Sequence, residues 1–177
     1  MKTTSVRNNV RATERVVVRP LTTADSSALL AAFERLSPET RRLRFMSAGA
    51  RLTKSDADRL TDLDHLHSEA LAAIAPTTNE IIGVARYFEL QGDPGAAEFA
   101  VTVDDDWQGQ GIGRRLITDL VGRARANGIE RLVAYVDPAN ERVIEWLERH
   151  GAESSRGNTG SIYTLDIAAP ATLGRAA

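Results

Sequence analysis

Apolar residues recur along this chain with two spacings, and each spacing predicts a type of secondary structure. Alternating or short continuous apolar runs, typical of strands, occupy residues 16–18, 70–74, 81–90, 99–103, 132–136 and 161–167. Helical spacing and capping signals occupy residues 23–36, 37–46, 53–63, 112–126 and 141–150. This order predicts an α+β fold, a mixed α/β arrangement with a central sheet of about six to seven strands flanked by helices. We expect one domain over residues 14–168, between flexible tails at 1–13 and 169–177.

Three signals set the expected ends of helices. Ser37 before Pro38 is typical of an N-cap followed by proline at the first helical position. Thr53 and Asp56 have the spacing of a capping box. The pair Asn127-Gly128 is typical of a helix C-terminus.

The most distinctive segment is a glycine-rich turn between the strand that ends at Val103 and the next helix. Its sequence, Gln108-Gly109-Gln110-Gly111-Ile112-Gly113-Arg114, brings backbone N–H groups to the positive end of a helix. Because glycines let a ligand approach the backbone closely, the turn predicts a phosphate-binding site. Its spacing is neither the dinucleotide G-x-G-x-x-G pattern nor a P-loop, which needs a Gly-Lys pair that the chain lacks. The alternative is a turn that only starts a helix.

The elements after this turn carry a resemblance to a known family. Gln108 to Gly113 matches the Q/R-x-x-G-x-G/A signature of the GNAT superfamily of acyl-CoA-dependent N-acyltransferases, and Asn140 to Gly151 resembles its later Asn-started helix. Segments 36–47 and 52–65 are similar to the acetyltransferase domain of bacterial protein lysine acetyltransferases. The resemblance covers residues 14–168 and implies the GNAT fold, with a twisted mixed sheet, and N-acetyltransferase activity.

The resemblance also implies acetyl-CoA as cosubstrate and assigns residues to it. The main chain of Val101, Thr102 and Val103 would pair with the pantetheine arm as an added strand does, and one N–H would polarise the thioester carbonyl. The residues implied for the pyrophosphate are Gln108, Gly109, Gly111, Ile112, Gly113 and Arg114. Asn140 would contact the pantetheine arm, although asparagine at this position is also a common helix cap.

Glu98 is the candidate catalytic residue. An amine of the lysine type has a pKa of about 10.4, so it must lose a proton before it can attack the thioester. Glu98 lies in an otherwise apolar strand, where partial burial would raise the pKa of its carboxyl group towards the useful range. The resemblance places it at the position of the general base. The alternative is an edge-strand glutamate in water.

Two other positions bear on the chemistry. Many members of the resembled family carry a tyrosine in the Asn-started helix that protonates the leaving thiolate, and the matching residue here is Leu147. The general acid is therefore unassigned. His65 and His67 form a His-x-His pair, but no third ligand at a suitable spacing accompanies them, so no metal site is expected.

Composition limits the function classes further. The 177 residues carry a net charge of −2, which gives no electrostatic argument for binding nucleic acid or membranes. Because cysteine is absent, disulfides, thiolate metal sites and a cysteine nucleophile are excluded. No apolar run approaches the roughly 20 residues of a membrane span, and the N-terminus lacks the apolar core of a signal peptide. We expect a cytoplasmic protein, and a homodimer is one assembly that the sequence leaves open.

The acceptor is expected to be a primary amine. The likeness at 36–47 and 52–65 favours a protein lysine side chain. Direct transfer in a ternary complex is expected because no nucleophile motif for a covalent intermediate is visible. The alternatives are a small amine, such as a polyamine, an amino acid or an aminoglycoside, and a non-catalytic acyl-CoA sensor.

Overall fold

A computed structural model describes residues 16–47, 49–157 and 160–168, and these residues form one seven-stranded sheet with five α-helices. The strands are β1 Val17–Pro20, β2 Ser68–Ile74, β3 Ile81–Glu89, β4 Ala96–Val103, β5 Arg131–Val136, β6 Glu153–Arg156 and β7 Ser161–Asp166. The helices are α1 Ser26–Arg35, α2 Pro38–Phe45, α3 Lys54–Thr61, α4 Ile112–Ala126 and α5 Glu141–Arg149. The strand order is β1-β2-β3-β4-β5-β7-β6, antiparallel except for the β4–β5 pair.

Helices cover both faces of this sheet, which explains the long apolar runs in its central strands. One core cluster joins α4 to Leu71, Ala73 and Ala85. A second cluster joins Leu29 of α1 to Ala70 and Ala72, with Leu60 of α3 packed against it. Since successive residues of a strand point to opposite faces, β2 contributes to both clusters and is buried from Glu69 to Ile74.

The sheet opens between its two parallel strands. β4 pairs with β3 from Ala97, opposite Glu89, to Val103, opposite Gly83. Its pairing with β5 is confined to Ala96–Glu98. Within the part of the chain that the structure describes, the β5-facing edge of β4 therefore has no strand partner from Phe99 to Val103.

Helix α2 bridges the two strand ends that diverge at this opening. Asp105, just after β4, accepts hydrogen bonds from the Ser37 N–H (2.9 Å), the Ser37 hydroxyl (2.8 Å) and the Thr40 hydroxyl (2.7 Å). Arg42 of the same helix donates to Asp137, just after β5, at 2.5 Å. These contacts fix α2 beside the open edge of β4.

Most predicted elements are confirmed, with small shifts at their ends. Ser37 accepts a hydrogen bond from the Thr40 N–H as the predicted N-cap of α2, and Thr53 and Asp56 form the predicted capping box. The helix predicted at 23–36 begins as a 3₁₀ turn, Thr23–Asp25, before α1. The helix predicted to reach residue 63 ends at Thr61.

Strand β6 was not predicted from the sequence. Its residues, Glu153–Arg156, are all exposed and lie at the edge of the sheet, so no apolar alternation marks them. The predicted tails at 1–13 and 169–177 lie outside the described residues. Among the residues described, no helix combines the length and the apolar character that crossing a bilayer requires.

The Arg19–Asp25 ion pair gives the fold a predictable response to acid. Two hydrogen bonds of 2.7 and 2.8 Å from Arg19 to Asp25 lower the pKa of this buried carboxyl group to about 2. Its stabilising effect is complete above the ordinary aspartate pKa and is lost as the pH falls through about 2. Because Arg19 is half-exposed, we expect Asp25→Asn to lower the free energy of unfolding by only about 1 kcal/mol at neutral pH.

Denaturant unfolding between pH 7 and pH 2 measures this effect. The difference between wild type and Asp25→Asn should be constant above pH 5 and should shrink steadily below pH 4. A difference that does not change with pH would contradict the assignment. Asp93→Asn is the matched control, because Asp93 pairs with Arg131 on the exposed surface, where an ion pair contributes little.

Candidate cosubstrate and acceptor site

The open edge of β4 leads from the candidate base to the glycine-rich turn. Glu98 stands at the last β4–β5 pair, opposite Val133, and the unpartnered edge begins at the next residue. After Val103, a 3₁₀ turn at Asp105–Trp107 connects the strand to Gln108. Sequence reasoning placed these residues in one site, and the structure brings them onto one continuous line along β4.

Backbone groups, rather than side chains, are what this edge offers a ligand. The side chains of Val101 and Val103 pack against the α4 side of the sheet, and that of Thr102 faces the opposite side. A strand edge without a partner presents N–H and C=O groups that an extended ligand can pair with. The edge is therefore suited to an elongated chain that carries amide groups.

The glycine-rich turn has the conformation that its sequence predicts. Gly109 and Gly111 have φ values of 77° and 80°, in the left-handed region that favours glycine. Gly111 is the N-cap of α4, and no side chain caps it. A Cβ atom added at either glycine would meet nothing within 4 Å, so the space in front of the turn is open. Since the first N–H groups of a helix have no intrahelical partner, this helix end is suited to bind an anion.

Of the residues beside these glycines, two hold the turn in place and one is exposed to solvent. The Gln108 amide donates to the Val103 carbonyl at 3.1 Å, which ties the turn to the end of β4. Ile112 is buried in the core, so only its backbone can face a ligand. Arg114 is exposed in the first turn of α4.

Asn140 begins α5 without capping it through its side chain. The capping explanation for this residue is therefore not what the structure shows. Asp137 stabilises the turn before α5 instead, since its carboxylate accepts a hydrogen bond from the Ala139 N–H at 2.8 Å. The partly buried side chain of Asn140 is left available at the β5 side of the opening.

Glu98 is exposed, and the expected partial burial is wrong. Its neighbours along β4 are buried, but Glu98 points to the other face, beside Phe88 of β3, which is itself 40% exposed. An apolar run therefore misled the sequence argument, because alternate residues of one strand can have different environments. Glu98 nevertheless lies where the unpartnered edge of β4 begins.

The position that matches the family's tyrosine does not offer an acid. Leu147 is fully buried in the core cluster on the α4 side. Tyr163 is also buried, and the Tyr87 hydroxyl is engaged with the Leu66 carbonyl and the Asn127 amide. Tyr135 of β5 is the exposed tyrosine, at 44%.

A cavity of about 150 Å³ lies beside β4 on the Glu98 face, between the sheet and the helices α1, α2 and α3. Its wall is mainly apolar and includes Phe33, Phe45, Phe88, Ala100 and Thr102. Two arginines, Arg44 of α2 and Arg86 of β3, also line it. Neither arginine was predicted to belong to a site; the signal for Arg86 is a charged residue inside the apolar run of β3.

These two arginines are unusual in their surroundings. Arg86 is 6% exposed, donates to the Leu60 carbonyl at 2.6 Å, and stacks over the Phe88 ring. Burial, and next the positive charge of Arg44, lower the pKa of Arg86 to about 10. Burial also lowers the pKa of Arg44, and the carboxylate of Glu98 opposes this shift. The three charged groups therefore form one cluster at the cavity.

The two histidines lie elsewhere and have carboxylate partners. The Nδ1 atom of His65 is 2.8 Å from Glu69, and that of His67 is 2.8 Å from Asp64. In the described ranges, no group of three or more histidine and acidic side chains is arranged to hold a metal ion.

Comparison with known proteins decides the family. The model of the acetyltransferase (GNAT) family matches residues 31–152. The chain belongs to the GNAT family. This confirms the resemblance stated from Gln108–Gly113 and the α+β fold, and it identifies an acyl-CoA-dependent N-acyltransferase.

This GNAT chain is similar to three known acetyltransferases over most of its length. Acetyltransferase PA5475 of Pseudomonas aeruginosa is 34% identical over 73% of this chain and 69% of its own length. Acetyltransferase Pat of Mycolicibacterium smegmatis is 29% identical over 91% of this chain, which spans only 48% of Pat. The crystal structure of the GNAT domain of S. lividans PAT is 29% identical and superposes with a TM-score of 0.76, covering 86% of this chain and 96% of that domain.

Proposed function

We propose that this GNAT protein transfers an acetyl group from acetyl-CoA directly to a primary amine, in a ternary complex. The observation that carries the proposal is the continuous line formed by Glu98, the open edge of β4 and the turn at 109–111. A base, a row of backbone hydrogen-bonding groups and an anion-binding helix end are the three things that such a transfer needs.

The cosubstrate would lie along this line. The pantetheine arm would pair with the main chain of Val101, Thr102 and Val103, as an added strand does. A backbone N–H of this segment would polarise the thioester carbonyl and stabilise the charge that develops on its oxygen. The pyrophosphate would accept hydrogen bonds from the turn that Gly109, Gly111 and Gly113 keep open, with Arg114 adding positive charge, and Asn140 would contact the pantetheine from the β5 side.

Glu98 would act as the general base. Its carboxylate would remove a proton from the acceptor ammonium, directly or through one water molecule, and the free amine would attack the thioester carbon. The nitrogen then loses its second proton to solvent, the C–S bond breaks, and CoA leaves as a thiolate that takes a proton from solvent. No side chain is assigned to that last proton transfer, since Leu147, at the position of the family's tyrosine, has no proton to donate.

Two classes of acceptor are supported, each by a different observation. The likeness of segments 36–47 and 52–65 to bacterial protein lysine acetyltransferases favours a protein lysine side chain. A small amine is the second class, and the 150 Å³ cavity beside Glu98 favours it, because the cavity has room for a group about as large as benzene.

Release of the CoA thiol tests the proposal. The purified chain is incubated with acetyl-CoA and lysine peptides, free amino acids, polyamines or aminoglycosides, and free thiol is measured over time. We expect release that depends on both an acceptor and the protein. Binding of acetyl-CoA without release on any acceptor would overturn the transferase proposal and favour an acyl-CoA sensor.

A further inference from the structure

Neither arginine of the cavity forms an ion pair with a described residue, and Asp104, which also lines the cavity, pairs with Arg35 instead. Arg86 is buried, and its Nε atom has no hydrogen-bond partner. Its Nη2 atom reaches only a backbone carbonyl, that of Leu60. A buried donor without a partner destabilises the fold, and it does so more strongly when the group is charged. A buried polar group without a partner calls for an explanation, and a ligand that supplies the partner is one.

Arg44 adds a second positive charge to the same space. It lines the cavity from α2, its guanidinium lies 4.8 Å from the centre of the Phe45 ring, and it acts electrostatically on Arg86. Two like charges in a largely apolar wall repel each other, and an anion between them would remove the repulsion. Arginine also matches the geometry of a carboxylate, with two parallel N–H donors.

The register of the sheet places Arg86 close to Glu98, the proposed general base. Arg86 lies opposite Ala100, and Phe88 lies opposite Glu98, so Arg86 and Glu98 share one face two positions apart. Two residues of a strand span about 7 Å. A small molecule can therefore bind an arginine with one end and reach the carboxylate of Glu98 with the other.

We propose that the acceptor is an α-amino acid whose carboxylate binds between Arg44 and Arg86. Its amino group then faces Glu98 and the open edge of β4, and its side chain fills the apolar part of the cavity. This inference rests on the proposed acetyl transfer and names its substrate class. It disfavours polyamines and aminoglycosides, because the two guanidinium groups repel their multiple positive charges.

Matched acceptors test the carboxylate. Thiol release from acetyl-CoA is measured with leucine, methionine and phenylalanine, with their amides, which keep the amine and side chain but lose the negative charge, and with lysine peptides. The wild-type kcat/KM should be at least about tenfold higher for the acids than for the amides, in line with a hydrogen bond between charged groups. Equal rates on acids and amides, or activity on lysine peptides alone, would overturn the inference.

Matched variants test the arginines. Arg86→Met and Arg44→Met keep the length of the side chain and remove its charge. Each should lower kcat/KM for the acids about tenfold or more and change it little for the amides, so that the preference for the acid disappears. Arg149→Met is the control, because Arg149 is exposed on α5, away from the cavity. Since Arg44 is less completely buried than Arg86, its variant remains informative if Arg86→Met does not fold.

A binding measurement separates this inference from the proposed reaction. N-acetyl-leucine and N-acetyl-leucinamide are titrated into the protein in the presence of CoA, and the heat of binding is recorded. Tighter binding of the acid, lost in Arg86→Met, would support the carboxylate site even if no acceptor released thiol. Equal binding of the two compounds would overturn the inference, whatever the outcome of the thiol assay.

Discussion

Replacement of Glu98 by glutamine should lower kcat about a hundredfold or more and leave the affinity for acetyl-CoA unchanged. General-base catalysis contributes about 10²–10⁴ in rate, and the amide of glutamine cannot accept a proton from an ammonium group. Glu98 lies at the start of the open edge, while the proposed pyrophosphate site lies beyond the other end of β4. The substitution therefore removes the base without touching the residues that would hold the cosubstrate.

Three measurements check this expectation. Turnover is followed by thiol release, acetyl-CoA binding by calorimetry, and folding by thermal denaturation. Because Glu98 is exposed and the substitution keeps its shape, stability should not change measurably. Glu153→Gln is the matched control, on the exposed edge strand β6. Turnover by Glu98→Gln at the rate of the control would remove Glu98 from the mechanism.

The pH dependence of the rate offers a second signature of the base. In the wild type, Glu98 removes the ammonium proton within the complex, so turnover should depend less steeply on pH than the free-amine fraction of the acceptor does. In Glu98→Gln, the residual rate should follow the free-amine fraction of the acceptor alone. An identical pH profile for the two proteins would argue that another group takes the proton.

Substitution of Gly111 by alanine should weaken acetyl-CoA binding about tenfold or more. With a φ of 80°, Gly111 holds the left-handed conformation that costs a residue with a Cβ roughly 1–2 kcal/mol. Relief of that strain would turn the N–H groups at the start of α4 away from the proposed pyrophosphate. A Cβ would also project into the open space in front of the turn, where the phosphates would lie.

Gly122→Ala is the matched control for this prediction, because Gly122 lies in the same helix, α4, and outside the proposed binding site. Gly122 is exposed, and an added Cβ there would meet nothing within 4 Å. Alanine is also the better helix former, so stability should be kept or slightly increased. Acetyl-CoA affinity should stay within a few-fold of that of wild type.

A donor without the pyrophosphate tests which part of acetyl-CoA the turn at Gly111 binds. Acetyl-pantetheine lacks the pyrophosphate, so its binding should be equally weak in wild type and in Gly111→Ala. If both donors lost affinity in the variant, the turn would be acting through the fold rather than on the phosphates. Unchanged acetyl-CoA affinity in Gly111→Ala would place the pyrophosphate elsewhere.

The sequence predicted the elements of this fold well wherever burial is periodic. β2, β3, β4 and α4 carry apolar residues at the spacing of their structure, and six of the seven observed strands were predicted. β6 was missed because its four residues, Glu-Ser-Ser-Arg, are all exposed, and its position depends only on pairing with β7. Such an edge strand is determined by its neighbour and leaves no pattern of its own.

The parts of the site formed by one short motif could be predicted from the sequence. The parts formed by segments far apart along the chain could not. The turn at Gly109 and Gly111 depends on local backbone conformation, which glycine spacing reports directly. The exposure of Glu98 depends on what covers its face of the sheet, where its neighbour Phe88 is also exposed, and the composition of β4 alone does not report that. Arg44 and Arg86 come together from α2 and β3, so no spacing along the chain could have paired them.

The short pairing between β4 and β5 also determines how this sheet can be improved by protein engineering. Extending the ladder beyond Glu98 would add backbone hydrogen bonds, each worth about 1 kcal/mol, at the least connected joint of the sheet. Those bonds would use the same N–H and C=O groups that the proposed pantetheine needs. Selection for heat resistance alone would therefore tend to close the sheet and inactivate the protein, which makes this joint a point where stability and activity oppose each other.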